Sequence, residues 1–310
     1  MPPDSLYQAG QQSDSFRRLV DSLVKMLPPA TPTQMDPGGE SFASWGPLFV
    51  IVVMALALVL PGGWRNLRIW SSRLKVLRIH EQRQKQYDAW LQQFNPYYKN
   101  LPPGLKNRFM KRLIRFKSLK RFHFIEMQED ERISVLVSAA AVQIGFGLKN
   151  YLLAYFNDIY IMRRDYHYGL YNVPFEGHVS SNGIYLSWSN FEKAFDDYAD
   201  GSNVGLHEMA HALAYVNFIA RIGKDKAFRR RFRNFSKTGR KVFGEMQSGK
   251  MNILGAYAAT NYHEFWAVCM ENFFEKPQAL QRELPQLYRE LTVLLNQDPL
   301  SANILVKPIE

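Results

Sequence analysis

Apolar and polar positions alternate along this chain in distinct regimes. Residues 1–43 are rich in Gln, Ser, Pro and Gly and hold one short apolar patch, Leu19 to Leu27, which predicts a flexible or weakly helical tail. Ser41 to Trp64 then runs for twenty-four residues without a charge around the apolar centre Leu48 to Leu60. At about 1.5 Å of rise per residue this is enough to cross a bilayer core, and it predicts a transmembrane helix over 44–63. Trp45 and Trp64 stand at its ends, at headgroup level, and Pro47 and Pro61 also lie near the ends. Because the run starts far from the N-terminus and follows an acidic segment, it is not patterned as a cleaved signal peptide. From 64 to 91, Leu67, Trp70, Leu74 and Leu77 recur at helical spacing among basic residues and predict an amphipathic, basic stalk.

Asn95-Pro96 and Leu101-Pro-Pro-Gly104 interrupt the chain, so the globular domain is expected over 92–310. Within it, helical spacing marks Gly104–Phe122, Asp130–Phe146, Val204–Ala220, His263–Phe274 and Leu284–Asn296. Asp158–Met162 and Gly183–Trp188 are short β-like runs bordered by turn residues. The expected class is α+β, mostly helical with a small sheet.

Composition narrows this further. Apolar residues at 46% and charged residues at 22% of 310 are those of a folded protein. One cysteine, Cys269, excludes an internal disulfide framework and a multi-thiolate zinc site, and its apolar neighbours assign it to packing. The net charge of +11 is concentrated: residues 62–121 carry sixteen Lys/Arg against two acids, and the remainder is near neutral. Arg65, Arg68, Arg73, Lys75 and Arg78 follow the apolar run, so the C-terminal body is expected on the cytosolic side and the tail outside. Anionic lipid headgroups account for this basic region; nucleic-acid binding is not expected.

The chemistry concentrates in Gly205-Leu-His-Glu-Met-Ala-His211. His207 and His211 are four apart, so on a helix their rings share a face and can reach one ion. Neutral imidazoles suit Zn²⁺, and Glu208 beside them can take a proton from the attacking water. The competing structural reading has the histidines capping carbonyls and Glu208 solvated. Ser202-Asn203 supplies a helix N-cap. A catalytic zinc needs a third ligand, and Glu264, a carboxylate on an apolar helix, needs a compensating cation. Glu271, seven residues on, either hydrogen-bonds a ligand histidine or serves as a buried ion-pair partner. His263 points about 100° away from Glu264 and reads as structural.

The blocks "NVGLHEMAHAL" and "GAYAATNYHEFWAVCMENFFEKP", with "FHFIEMQEDERISVLVSAAAVQIGFGL" and "NGIYLSWSNF" upstream, resemble the Mlc titration factor A family of zinc metallopeptidases over roughly residues 92–300. The resemblance implies a zincin-like peptidase domain and one zinc per chain on His207, His211 and Glu264. Glu208 would be its general base. It also implies that Tyr257 stabilises the tetrahedral intermediate, against a reading of Tyr257 as a packing residue. The strand Gly183–Trp188 would present an edge to an extended peptide. Met209 and Ala214 depart from the family pattern, which bears on substrate preference. Lys224–Lys241, basic with interleaved Phe, reads as a solvated helix face. The combined expectation is a membrane-anchored zinc peptidase facing the bacterial cytosol. The alternative is a non-catalytic regulatory protein that binds a transcriptional repressor or other partner at the membrane.

Overall fold

Tyr87 and Leu91, which fall in the predicted stalk, are almost wholly buried. They lie on helix α1 (Glu81–Phe94), which packs against the body, and the Tyr87 hydroxyl donates to Glu131 at 2.5 Å. The packed unit therefore begins ahead of residue 92. The computed structural model describes residues 81–167, 174–195, 201–301 and 303–304. The predicted tail, the membrane span and the stalk before Glu81 lie outside the described residues. Among those described, no helix is long and apolar enough to cross a membrane.

Asn95 turns the chain after α1 and caps α2 (Pro96–Asn100), its side chain accepting from the Tyr98 amide. Helix α3 (Pro103–Leu119) stops short of the expected Phe122. Residues Arg121–Ile125 instead form strand β1, drawn out of the helix by pairing with β2 (Asp158–Met162). An Arg121–Asp158 ion pair reinforces this register. Between the two strands runs α4 (Glu131–Gly145), with thirteen of fifteen residues buried. Its Ala139-Ala-Ala141 run carries little side-chain bulk where it packs against neighbouring helices.

Strands β3 (Gly177–Ser180) and β4 (Gly183–Ser187) form a hairpin that completes a four-stranded mixed sheet in the order β1-β2-β4-β3. β1, β2 and β4 are parallel, and β3 is antiparallel to β4. Ile159, Ile161, Ile184 and Leu186 are fully buried on one face. On the other, His123, Tyr160, Tyr185 and His178 stack ring on ring across all four strands. β4 is thus paired on both sides and has no free edge; the edge beside it belongs to β3. This corrects the expected role of Gly183–Trp188.

After the short α5 (Trp188–Lys193), α6 (Val204–Phe218) packs on α4 and beneath β3 and β4. Helix α7 (Lys226–Gln247) and a 3₁₀ turn (Ala256–Ala259) lead to α8 (Tyr262–Glu275), which packs along α6. α9 (Pro277–Glu283), α10 (Pro285–Leu295) and a small ribbon of β5 (Gln297–Asp298) and β6 (Asn303–Ile304) close the chain. The observed architecture is the expected one, mostly helical with a small sheet.

Candidate metal centre

Helix α6 starts where Asn203 accepts the Leu206 amide, the cap expected from Ser202-Asn203. From this start, 3.6-residue periodicity places His207 and His211 on one face, one turn apart. Helix α8 lies across that face, locked by the Trp266 indole N–H, which donates to the Ala210 carbonyl at 2.9 Å. The first turn of α8 then delivers Glu264, held by Asn261, whose side chain accepts from the His263 and Glu264 amides.

His207, His211 and Glu264 form a cluster in which one donor atom from each lies within 4.8 Å of the others. His207 Nε2 is 3.0 Å from Glu264 Oε2 and 3.0 Å from His211 Nε2, and His211 Nε2 is 3.6 Å from Glu264 Oε2. Tetrahedral ligands at zinc distances stand about 3.3 Å apart, so this triangle has the size of three zinc ligands. Two imidazoles and one carboxylate are also the donor set that suits this ion.

Charge points the same way. Glu208, Glu264 and Glu271 surround the two imidazoles, and among the described residues no Lys or Arg pairs with any of them. Burial disfavours charge on His207, but hydrogen bonds to Glu264 and Glu271 outweigh it and raise its pKa to about 10. Burial also pushes Glu264 up, yet its histidine partners hold it well below the usual carboxylate range. His211, desolvated and with less help, is lowered to about 4. The centre favours a cation strongly.

Glu271 connects both helices. One oxygen faces His207 Nδ1 at 2.6 Å and the other accepts the Asn203 amide at 2.7 Å. With Nδ1 against this carboxylate, Nε2 is the ring nitrogen of His207 that faces the cluster. Glu271 thus lies against His207, where either of its two expected roles would place it.

Glu208 is 4% exposed, and its Oε2 is buried without a hydrogen-bond partner. Burial raises its pKa to about 8, against the pull of His207. Strand β3 lies directly against it. A Cβ at Gly177 would meet Glu208 Cγ at 2.6 Å and Oε1 at 2.7 Å, so only glycine allows the strand this close. Gly177 and β3 were not anticipated from sequence. The Ser181-Asn182 loop between β-compatible residues is the signal that would have found them.

Tyr257, on the 3₁₀ turn, is 58% exposed with its ring 6.1 Å from that of His207. Burial and the Glu264 carboxylate raise its pKa to about 12. It is exposed beside the cluster. His263 is closer than its helical position suggests: its ring lies flat on His211 at 3.9 Å and 12°. Met209 is fully buried, so its departure from the family pattern is one of packing. Cys269 is buried and its thiol is pushed well up by desolvation, in keeping with a packing role.

Residues 68–294 match the family described as glucose-regulated metallo-peptidase M90. Among relatives, the uncharacterized protein slr2042 of Synechocystis is 24% identical over 223 residues, covering 66% of this chain and 81% of its own length. Mlc titration factor A of Yersinia enterocolitica is 29% identical over 125 residues, 38% of this chain and 46% of that protein. Its Yersinia pestis counterpart is 29% identical over 124 residues, 38% and 45% of the two chains. The chain thus spans less than half the length of these titration factors.

Proposed function

The chain belongs to the glucose-regulated metallo-peptidase M90 family, and on that premise we propose that it is a zinc-dependent, zincin-like peptidase acting on peptide or protein substrates. The observation that carries the reading is the triangle of His207, His211 and Glu264 beside an unpartnered, buried Glu208. Held by those three residues, one zinc ion would polarise a scissile carbonyl and make a water nucleophilic. Glu208 takes the water's proton and returns it to the leaving amine. Glu271 keeps the proton of His207 on Nδ1. Tyr257 directs its phenol toward the developing oxyanion. The outer edge of β3, unpaired among the described strands, receives an extended peptide by strand addition.

The test pairs metal content with hydrolysis of an unfolded protein substrate. The parent chain is expected to hold about one zinc, and His211→Ala and Glu264→Ala to lose it. Glu208→Gln is expected to keep zinc and lose about 100- to 10,000-fold in rate. A Glu208→Gln chain that hydrolyses as fast as the parent would sink the reading.

The name of the Yersinia relatives supports a second reading, a regulatory protein that titrates a repressor or other partner. On that reading Glu208→Gln leaves the cellular role intact. We also propose that the uncharged run before Trp64 anchors the chain in a bacterial inner membrane, with the body cytosolic, as the following basic residues support. Protease protection in oriented membrane vesicles tests it: digestion of the body from the outside of right-side-out vesicles would overturn the orientation.

A further inference from the structure

Beyond residue 121 the chain is close to neutral, yet residues 221–250 carry eleven Lys/Arg against two acids. The structure shows where this charge goes. On α7, Lys226, Arg229, Arg230, Arg233, Lys237 and Lys241 are all exposed. At 3.6 residues per turn they fall within about 120° of arc, opposite the buried Phe228 and Phe235, in a stripe roughly 22 Å long. Among the described residues, none of the six makes an ion pair. Arg240, on the same side, lies over the Tyr262 ring.

A second, independent feature adjoins the N-terminal end of this stripe. Seven large apolar side chains are exposed among the described residues, and three of them, Phe218, Ile219 and Ile222, lie within five positions. They occupy the turn from α6 into α7, where Phe218 rests against Phe232 at 4.7 Å. Ile219 and Ile222 are 64% and 50% exposed, with the exposed Arg221 and Lys224 beside them. Outward aliphatic groups set among cations have an unfavourable fit to water. A nucleic-acid backbone would use the cations but not the isoleucines. An anionic bilayer uses both: its phosphates attract the stripe, and its interface buries the aliphatic tip.

We propose that α7 and the turn before it form a peripheral membrane-docking surface that seats the body on an anionic leaflet, with Ile219 and Ile222 entering the interface. The surface lies wholly in the folded body and owes nothing to the metal centre, so it stands or falls separately from the peptidase reading. It is also separate from the uncharged run before Trp64, because docking depends on lipid charge and spanning does not.

The test uses the full chain with Ile222→Cys carrying an environment-sensitive fluorophore. Cys269 is buried with a raised thiol pKa and stays unlabelled. Vesicles of phosphatidylcholine alone are compared with vesicles of equal parts phosphatidylcholine and phosphatidylglycerol. The anionic vesicles are expected to give a blue shift and about a twofold or greater rise in emission, lost at high salt. The same probe at Ile125→Cys, exposed on β1, should not distinguish the vesicles. Arg229→Glu, Arg230→Glu, Arg233→Glu and Lys237→Glu together should abolish the response. If that variant fails to fold, the comparison of lipids and salts with the labelled chain alone still decides. Equal emission on neutral and anionic vesicles overturns the proposal, as does a response that survives the four reversals. A response to duplex DNA without one to anionic vesicles overturns it in favour of nucleic acid.

Discussion

Replacing Glu271 with Gln changes one oxygen to an amide nitrogen and tests how the centre is held. In the native chain both oxygens accept, from His207 Nδ1–H at 2.6 Å and from the Asn203 amide at 2.7 Å. Glutamine has one oxygen for two donors. If that oxygen serves His207, the new NH₂ faces the Asn203 N–H at a site only 5% exposed, and a buried donor goes unmet at about 1–3 kcal/mol. If it serves Asn203, the NH₂ faces Nδ1, the imidazole proton moves to Nε2, and that atom can no longer ligate. Either arrangement also removes a negative charge beside the candidate metal site. The expected loss in zinc affinity is about 10- to 100-fold, equivalent to roughly 1.4–2.7 kcal/mol. Competition with a zinc chelator at fixed pH measures it, and thermal unfolding in excess chelator separates the metal effect from stability. A folded Glu271→Gln chain that binds zinc within about twofold of the parent would refute the reasoning. So would a loss of stability with affinity unchanged, because it would reduce Glu271 to a strut between α6 and α8.

Gly177→Ala forces a methyl group into Glu208, and the carboxylate or β3 must shift; peptide hydrolysis should fall about 100-fold while zinc content holds. Unchanged turnover would mean that β3 does not set the position of Glu208. Phe235, fully buried against Trp266 at 5.2 Å, anchors α7; Phe235→Ala should cost about 3–5 kcal/mol in urea unfolding, and a cost under about 1 kcal/mol would mean that α7 is not part of the core. Asp158, hydrogen-bonded by Arg121 and His123, has its pKa lowered from 3.8 to about 2. Its ionised form is favoured by folding, so the stabilisation is complete above the unfolded value and fades as pH falls toward 2. The urea midpoints of parent and Asp158→Asn should therefore differ at neutral pH and converge over that window; a gap that persists at pH 2 contradicts the assignment.

Helices α4, α6, α8 and α10 were legible because each carries apolar residues at helical spacing over a run longer than a strand, although only α10 buries a single face while α4, α6 and α8 are buried on most sides. The His207-Glu208-His211 spacing was legible for the same reason, since a single helix fixes those distances. Glu264 could be suspected because a carboxylate among Phe265, Trp266 and Val268 needs a counter-charge. Strand β1 could not be read. Helical spacing carried the expected α3 on to Phe122, and pairing with β2, more than thirty residues away, instead draws Arg121–Ile125 into the sheet. Gly177 carries no side chain to announce a role, and the approach of β3 to Glu208 exists only once the hairpin folds over α6. His263 lies about 100° from Glu264 on α8, yet the crossing of α8 over α6 lays its ring on His211. The sequence by itself determined what one helix or one local charge imbalance can encode. Which strand is the edge, which carboxylate orients His207, and where the cations of α7 face were decided by tertiary structure, because each depends on segments far apart in the chain being brought within a few ångströms.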